Sequence, residues 1–127
     1  MTSHSISRAA LVACVSVLAL TGCNKSKSNN PVASGPTANV GIVMNALNMG
    51  ANAFTPNPVT VAAGTTVIWK NNDGITHTVT STTAAESYNF SIAPGSTGSH
   101  LFSTAGSFSY KCSIPGHTMN GSVTVTP

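Results

Sequence analysis

Short alternations of apolar and polar residues run along the chain from residue 40 to its end, with turn residues between them. A period of two places successive side chains on opposite faces and is typical of a strand buried on one side. Eight segments have this pattern: residues 41–47, 59–62, 65–70, 77–80, 88–92, 100–103, 108–112 and 122–126. Pro94-Gly95 and Ala105-Gly106 supply turn chemistry between them. With no convincing amphipathic helix, the pattern predicts an all-β fold, either a sandwich or a barrel.

The first residues of the chain differ from the rest. One Arg at position 8 precedes an apolar run over residues 9–20, and small residues come before Cys23. The run is shorter than the roughly 20 apolar residues that a membrane-spanning helix needs, so it predicts a secretory signal peptide. Leu20-Thr21-Gly22-Cys23 resembles the lipobox of bacterial lipoproteins, which implies lipid attachment at Cys23 after removal of residues 1–22. The alternative is ordinary cleavage near Gly22, with Cys23 an incidental thiol.

The residues after Cys23 are rich in Ser, Asn, Pro and Gly and have no apolar periodicity. This composition is typical of a flexible tether. We therefore expect a lipoprotein-type signal peptide over residues 1–22, a tether over 23–39 that begins at the lipidated cysteine, and a folded domain over 40–127. The predicted location is the periplasmic or cell-surface side of a membrane, with the lipid as anchor.

Charge is scarce along the chain. Lys and Arg number 5 and Asp and Glu number 2, which gives a net charge of +3 with only 6% of residues charged. Nucleic-acid binding needs clustered Lys and Arg to neutralise several phosphates, so we expect no nucleic-acid partner. Arg8, Lys25 and Lys27 precede the predicted domain. The domain keeps two charges of each sign: Lys70, Lys111, Asp73 and Glu86.

The sequence carries no recognisable catalytic signature. Asp73 and Glu86 are too isolated in sequence to suggest a carboxylate pair for acid–base work. No Ser-His-Asp signature, phosphate-binding Gly loop or paired-Cys zinc spacing occurs. We therefore do not expect an enzyme.

The predicted domain contains one cysteine, Cys112, because Cys14 lies in the signal peptide and Cys23 at the lipidation site. A lone thiol in an oxidising compartment has no partner for a structural disulfide, so it is either buried and inert or held by a metal. His77, His117 and Met119 also lie near the ends of predicted strands. Because loops at one end of a sandwich converge, these side chains can meet in space. Two imidazoles, a thiolate and a thioether are the ligand set of blue-copper electron-transfer sites.

At these residues the chain resembles the cupredoxin family, specifically the small plastocyanin- and pseudoazurin-like proteins. Residues 53–81 and 102–125 carry the resemblance, in the family's order. It implies an eight-stranded Greek-key β-sandwich with one type 1 copper ion at one end. The implied ligands are His77 and His117 through imidazole, Cys112 through its thiolate and Met119 in the axial position. It also implies that the backbone N–H of Thr78 donates to the cysteine sulfur and tunes the redox potential.

The resemblance also implies a function, that of a monomeric one-electron carrier that docks transiently to redox partner proteins. The electron would leave through the exposed edge of His117, which is flanked by Pro115, Gly116 and Thr118. Two alternatives use the same sequence features. The protein could be a copper chaperone or buffer of the cell envelope, or a metal-free cupredoxin-like surface domain.

One spacing departs from the family pattern. Family members more usually separate the second histidine from the methionine by two to four residues, whereas only Thr118 lies between His117 and Met119. In extended chain, residues i and i+2 point to the same side with their Cα atoms about 6.6 Å apart, so both side chains can reach one metal. A long methionine bond, a different axial group and an open axial position remain alternatives.

For Trp69 and His100, the pattern predicts a structural role and no part in metal binding. Val67 and Trp69 alternate with Thr66, Ile68 and Lys70, which places Trp69 in the sandwich core with Val59 and Val61 of the preceding strand. His100 lies in the middle of a predicted strand outside the copper motif, and we expect it to face solvent.

Overall fold

Nine strands and two short 3₁₀ turns make up the part of the chain that the computed structural model describes, residues 35–127. The strands are β1 (Thr37–Ile42), β2 (Phe54–Thr55), β3 (Val59–Ala62), β4 (Thr65–Asn71), β5 (His77–Ser81), β6 (Asn89–Ile92), β7 (Thr97–Phe102), β8 (Gly106–Lys111) and β9 (Asn120–Thr126). The 3₁₀ turns, Ala46–Asn48 and Gly50–Ala53, lie between β1 and β2. Within these residues, no helix has the length and apolar character needed to cross a membrane.

The strands form two sheets, one in the order β2-β1-β4-β7 and the other in the order β3-β9-β8-β5-β6. The pairs β1 with β4 and β3 with β9 are parallel, and the other neighbouring pairs are antiparallel. Parallel neighbours cannot be joined by a tight hairpin, so the chain passes from one sheet to the other between them. This arrangement confirms the predicted all-β sandwich. The strand beyond the expected eight is β2, which has only two residues.

The core lies between the two sheets because buried and solvent-facing residues alternate along the strands. On β4, Val67 and Trp69 are buried, while Ile68 is only partly buried and Lys70 is exposed. Trp69 is fully buried, and its ring lies 5.4 Å from that of Tyr110 in an edge-to-face contact. Further rings around it are Tyr88, Phe90 and Phe102. The predicted core position of Trp69 is confirmed, and Val59 and Val61 belong to the same buried cluster.

The first strand is placed differently from the prediction of residues 41–47. The strand β1 covers Thr37–Ile42, where it pairs along its whole length with β4. Asn45 has a φ of 59°, a left-handed conformation that a strand cannot contain, so the extended chain ends before it. Residues 37–39, which we assigned to the tether, therefore belong to the sheet. The predicted signal peptide and lipidation site lie outside the described residues, as do tether residues 23–34.

His100 corrects a second expectation. The strand β7 begins at Thr97, and His100 lies on its inner side at the margin of the core rather than facing solvent. The His100 ring lies 4.4 Å from the Tyr88 ring, and its Nε2 lies 3.0 Å from a carboxylate oxygen of Glu86. The Tyr88 ring and the Glu86 carboxylate therefore shield part of an imidazole that the sequence pattern predicts to be exposed to solvent.

The packing predicts unequal costs for two adjacent substitutions on β7. Phe102 is fully buried against the rings of Trp69, Tyr88 and Phe108, so Phe102→Ala should lower the free energy of unfolding by about 3–5 kcal/mol. Leu101 is the matched control, because its side chain is 52% exposed and Leu101→Ala should change stability by less than about 0.5 kcal/mol. Urea unfolding of the metal-free protein measures both, and equal losses would contradict the assigned faces of this strand.

Candidate metal centre

Three potential metal ligands meet at one end of the sandwich. Donor atoms of His77, Cys112 and His117 all lie within 4.8 Å of one another. The Nδ1 atoms of the two histidines are 3.2 Å apart, and the Cys112 Sγ lies 3.3 Å from Nδ1 of His117. The cluster therefore consists of two imidazole nitrogens and one sulfur that point toward a common space.

Two of these ligands are brought together by neighbouring strands of the five-stranded sheet. His77 is the first residue of β5, and Cys112 directly follows the last residue of β8. The two strands run antiparallel, with Thr80 opposite Lys111 and Ser81 opposite Tyr110. The start of β5 and the end of β8 therefore lie at the same end of the sheet, which places the imidazole beside the thiol.

The third ligand is returned to the site by a tight turn. The His117 backbone N–H donates to the carbonyl oxygen of Ile114 at 3.1 Å, which closes a four-residue turn. Pro115 and Gly116 occupy its central positions, and Gly116 has a φ of 84°. Proline followed by a residue of positive φ is the signature of a type II turn, so this local sequence is sufficient to reverse the chain after Cys112.

Hydrogen bonds hold the cysteine in place. Its sulfur accepts a hydrogen bond from the Thr78 backbone N–H at 3.4 Å, and the Thr78 hydroxyl lies 3.7 Å away. The same hydroxyl accepts a hydrogen bond from the Ser113 backbone N–H at 2.7 Å. Cys112 is nearly fully buried, and its own N–H donates to the carbonyl oxygen of Met119 at 3.0 Å. Donors aimed at a ligating sulfur tune the electronics of a bound metal.

The histidine on β5 has a carboxylate partner that the sequence analysis missed. Nε2 of His77 lies 2.8 Å from a carboxylate oxygen of Asp73, and the histidine side chain is fully buried. The hydrogen bond with His77, together with backbone N–H groups of Asn45, Gly74 and Ala46, lowers the pKa of Asp73 to about 2. In the sequence alone, Asp73 is too isolated from Glu86 to suggest a carboxylate pair for acid–base work. An acidic residue four positions before an expected ligand histidine, in a turn, is the signal that could have identified it.

Met119 and the predicted electron exit lie around this cluster. Met119 is 1% exposed and precedes β9, and its backbone bond to Cys112 places it next to the cysteine. His117 is half-buried, whereas Pro115, Gly116 and Thr118 are exposed. One edge of the cluster therefore reaches the surface, while His77 and Cys112 lie behind it.

The donor atoms fit a first-row metal ion. Two donors that share such an ion lie about 3–4 Å apart, because metal–nitrogen bonds are about 2.0 Å and metal–sulfur bonds about 2.3 Å. The observed separations of 3.2 and 3.3 Å fall in this range. Imidazole suits Cu(II) and thiolate suits Cu(I), so a mixed set of two imidazoles and one thiolate fits copper in both states.

A β-sandwich of two sheets with a His, Cys and His cluster at one end defines a small copper protein of the cupredoxin type. Residues 41–126 match the model of the copper binding proteins, plastocyanin/azurin family. The chain belongs to this family, a family of electron carriers rather than enzymes, and the resemblance inferred from the sequence is confirmed. Its cofactor is copper, and His77, Cys112 and His117 with the neighbouring Met119 make up the type 1 copper site.

Similar proteins agree with this assignment. Plastocyanin from Scenedesmus fuscus is 36% identical over 87 residues, which cover 60% of this chain and 89% of the plastocyanin. A purple cupredoxin from Nitrosopumilus maritimus has a similar structure, with a TM-score of 0.62 and 26% identity over 70% of this chain and 99% of that one. A mutant amicyanin in its Cu(I) form shares the fold, with a TM-score of 0.57 and 24% identity over 76% of this chain and 88% of that one.

The turn before His117 predicts a difference between two glycine substitutions. Gly116→Ala forces a residue with Cβ into a left-handed conformation, which should lower the free energy of unfolding by about 1–2 kcal/mol. Gly74→Ala is the control, because the backbone of Gly74 is not in the left-handed region. At both glycines an added Cβ would have no other atom within 4 Å, so the two substitutions differ only in backbone conformation. Urea unfolding of the metal-free protein measures both changes. An equal effect of the two substitutions would show that the φ of Gly116 is not the cause.

Proposed function

We propose that the protein is a type 1 copper electron carrier that moves one electron between redox partner proteins. The single observation that carries this proposal is the cluster of His77, Cys112 and His117 donor atoms within 4.8 Å of one another. Copper held by two imidazoles and a thiolate supplies a one-electron couple between Cu(II) and Cu(I). Family membership supports the same function.

The ligands are held in a way that suits electron transfer. His77 is fixed by Asp73 on its far side, and Cys112 is fixed by Thr78 and by its own backbone bond to Met119. Both ligands are buried, so solvent does not compete for their donor atoms. A cage that keeps its shape in both oxidation states needs little rearrangement when an electron arrives or leaves.

The half-buried His117 is the proposed route for the electron. It is the ligand closest to the surface, and the exposed residues beside it, Pro115, Gly116 and Thr118, carry no charge. Small uncharged surfaces suit brief docking, and weak redox encounters use small interfaces. We therefore assign partner docking to this edge of the site, with the protein acting as a monomer.

Met119 is the proposed axial ligand. Its side chain is buried, and it lies two residues after His117, a spacing that puts both side chains on one side of an extended chain. A thioether is a soft and weak donor, as the axial position of a blue-copper site requires.

The proposed location is the periplasmic or cell-surface side of a membrane, to which the protein is anchored through lipid on Cys23. Support comes from the sequence: a signal-like segment over residues 1–22 ends in Leu20-Thr21-Gly22-Cys23. A tether then separates the anchor from the domain and lets the His117 edge reach its partners.

Copper loading tests the electron-carrier function. The wild-type protein should bind one Cu(II) ion with an intense visible thiolate-to-copper band, and voltammetry should show a reversible one-electron couple. Cys112→Ser should abolish the band, because the charge transfer starts at that sulfur. His100→Gln is the control, since His100 lies outside the donor cluster and the band should persist.

Two other results of the copper-loading experiment would support a different function. A band with rapid loss of copper to a chelator and no reversible couple would support a copper chaperone or buffer. No copper binding in a folded protein would support a metal-free surface domain, and either result would overturn the proposal.

Lipid anchoring predicts a separate change in location. In a bacterial host, Cys23→Ala should move the protein from the membrane fraction to the soluble fraction, because the acyl attachment site is gone. Cys14→Ala is the matched control, since it removes a cysteine of the same N-terminal segment and should leave the protein in the membrane fraction. A soluble wild-type protein would show that the anchor is not formed.

A further inference from the structure

Asp73 occupies an unusual position behind the copper site. One of its carboxylate oxygens accepts hydrogen bonds from the backbone N–H groups of Asn45 and Gly74, at 3.0 and 2.8 Å. The other oxygen accepts from the Ala46 backbone at 3.2 Å and contacts Nε2 of His77 at 2.8 Å. A carboxylate has about four acceptor directions, and all of them are used here. An amide cannot reproduce this pattern, because it has a single acceptor oxygen.

This contact determines which nitrogen of His77 carries the proton. An ionised carboxylate only accepts, so Nε2 of His77 must donate to Asp73. Nδ1, which faces Cys112 and His117, is then left with its lone pair free for a metal. Histidines that bind metals commonly donate their second N–H to a carboxylate or carbonyl, which fixes their orientation.

Asp73 is itself held in place by the sheet. Its backbone N–H donates to the side-chain oxygen of Asn71 at 2.9 Å. The Asn71 amide group donates in turn to the carbonyl oxygens of Ile75 and Ile92, at 2.8 and 2.9 Å, and Asn71 is fully buried. The backbone of Asp73 is therefore hydrogen-bonded to Asn71, the last residue of β4. Its carboxylate oxygens are hydrogen-bonded to the segment that begins at Asn45.

The negative charge of Asp73 is not paired with any Lys or Arg side chain of residues 35–127. Within residues 35–127 its ion-pair contact is with His77, and the nitrogen of Lys70 donates to the carbonyl oxygen of Gly95. The Asp73 side chain is 9% exposed, and its carboxylate contacts the His77 imidazole directly at 2.8 Å, so no water lies between the charge and this ring. A charge in this position acts on a bound metal through one imidazole ring, and it stabilises the more positive oxidation state.

We propose that Asp73 is a positioning residue that holds His77 in its Nδ1-ligating tautomer and lowers the reduction potential of the copper by favouring Cu(II) over Cu(I). The electron added on reduction goes to copper, and no bond or proton is exchanged with Asp73. This inference rests on the proposed electron-carrier function, because it concerns the potential at which the same site works.

The chain supplies its own control for the charge effect. Glu86 contacts Nε2 of His100 at 3.0 Å, so it forms the same kind of carboxylate–histidine pair. Its side chain is 18% exposed, and His100 does not belong to the donor cluster. Glu86→Gln therefore removes one negative charge from the same domain without touching a copper ligand.

Voltammetry of the copper-loaded full chain tests the inference. In Asp73→Asn, the ratio of the Cu(II) to the Cu(I) dissociation constant should rise about tenfold, which is an increase of about 59 mV in potential for a one-electron couple. In Glu86→Gln the ratio should change less than about twofold, because the Glu86 carboxylate contacts His100, which is not a copper ligand. An unchanged potential in Asp73→Asn, or an equal change in both variants, would overturn the inference.

A measurement on the wild-type protein covers the case in which Asp73→Asn does not fold. In the diamagnetic Cu(I) form, nitrogen-15 NMR should show a proton on Nε2 of His77 that exchanges slowly with water. A proton on Nδ1, or an Nε2 proton that exchanges as fast as that of an exposed histidine, would overturn the inference. If wild type binds no copper or has no reversible couple, the proposed function fails as well. A reversible couple with an Asp73-independent potential leaves that function intact.

Discussion

The antiparallel pairing of β5 with β8 is the constraint on which the copper site depends. It places the first residue of one strand beside the residue that follows the other, so His77 and Cys112 meet although 35 positions separate them in the sequence. The inner faces of these strands pack into the aromatic core around Trp69, which opposes any slip in their register. A slip of one residue would turn His77 or Cys112 away from the site.

A tight turn and a few hydrogen bonds position the rest of the site around His77 and Cys112. A type II turn returns His117 toward Cys112, and the Thr78 backbone N–H reaches the sulfur from the neighbouring strand. On the opposite side, Asp73 holds the far nitrogen of His77. Two of the ligands are therefore fixed from behind by hydrogen bonds and shielded from water. The third, His117, is left at the surface, and this asymmetry gives the site a buried side and an accessible side.

Much of the fold could be predicted because its signals are local. The strand β3 begins and ends at the predicted residues, since alternating burial and the turns around it occur within a few positions. The start of the first strand could not be predicted, because residues 37–39 (Thr-Ala-Asn) have no clear apolar–polar alternation and belong to the strand through their pairing with β4. The sequence pattern predicts His100 to be exposed because the residues that shield it, Tyr88 and Glu86, come from another part of the chain.

By itself, the sequence determined the all-β class, the turn that carries Pro115 and Gly116, and the set of residues that can bind copper. Each of these depends on residue type, on period or on a spacing of a few residues. Only the tertiary structure decided that His77 receives a carboxylate from Asp73 and that His117 is the ligand nearest the surface. Asp73 is only four positions from His77, but the backbone N–H groups of Asn45 and Ala46 hold its carboxylate there. Those contacts and the exposure of His117 follow from the packing of distant segments, which a linear pattern does not encode.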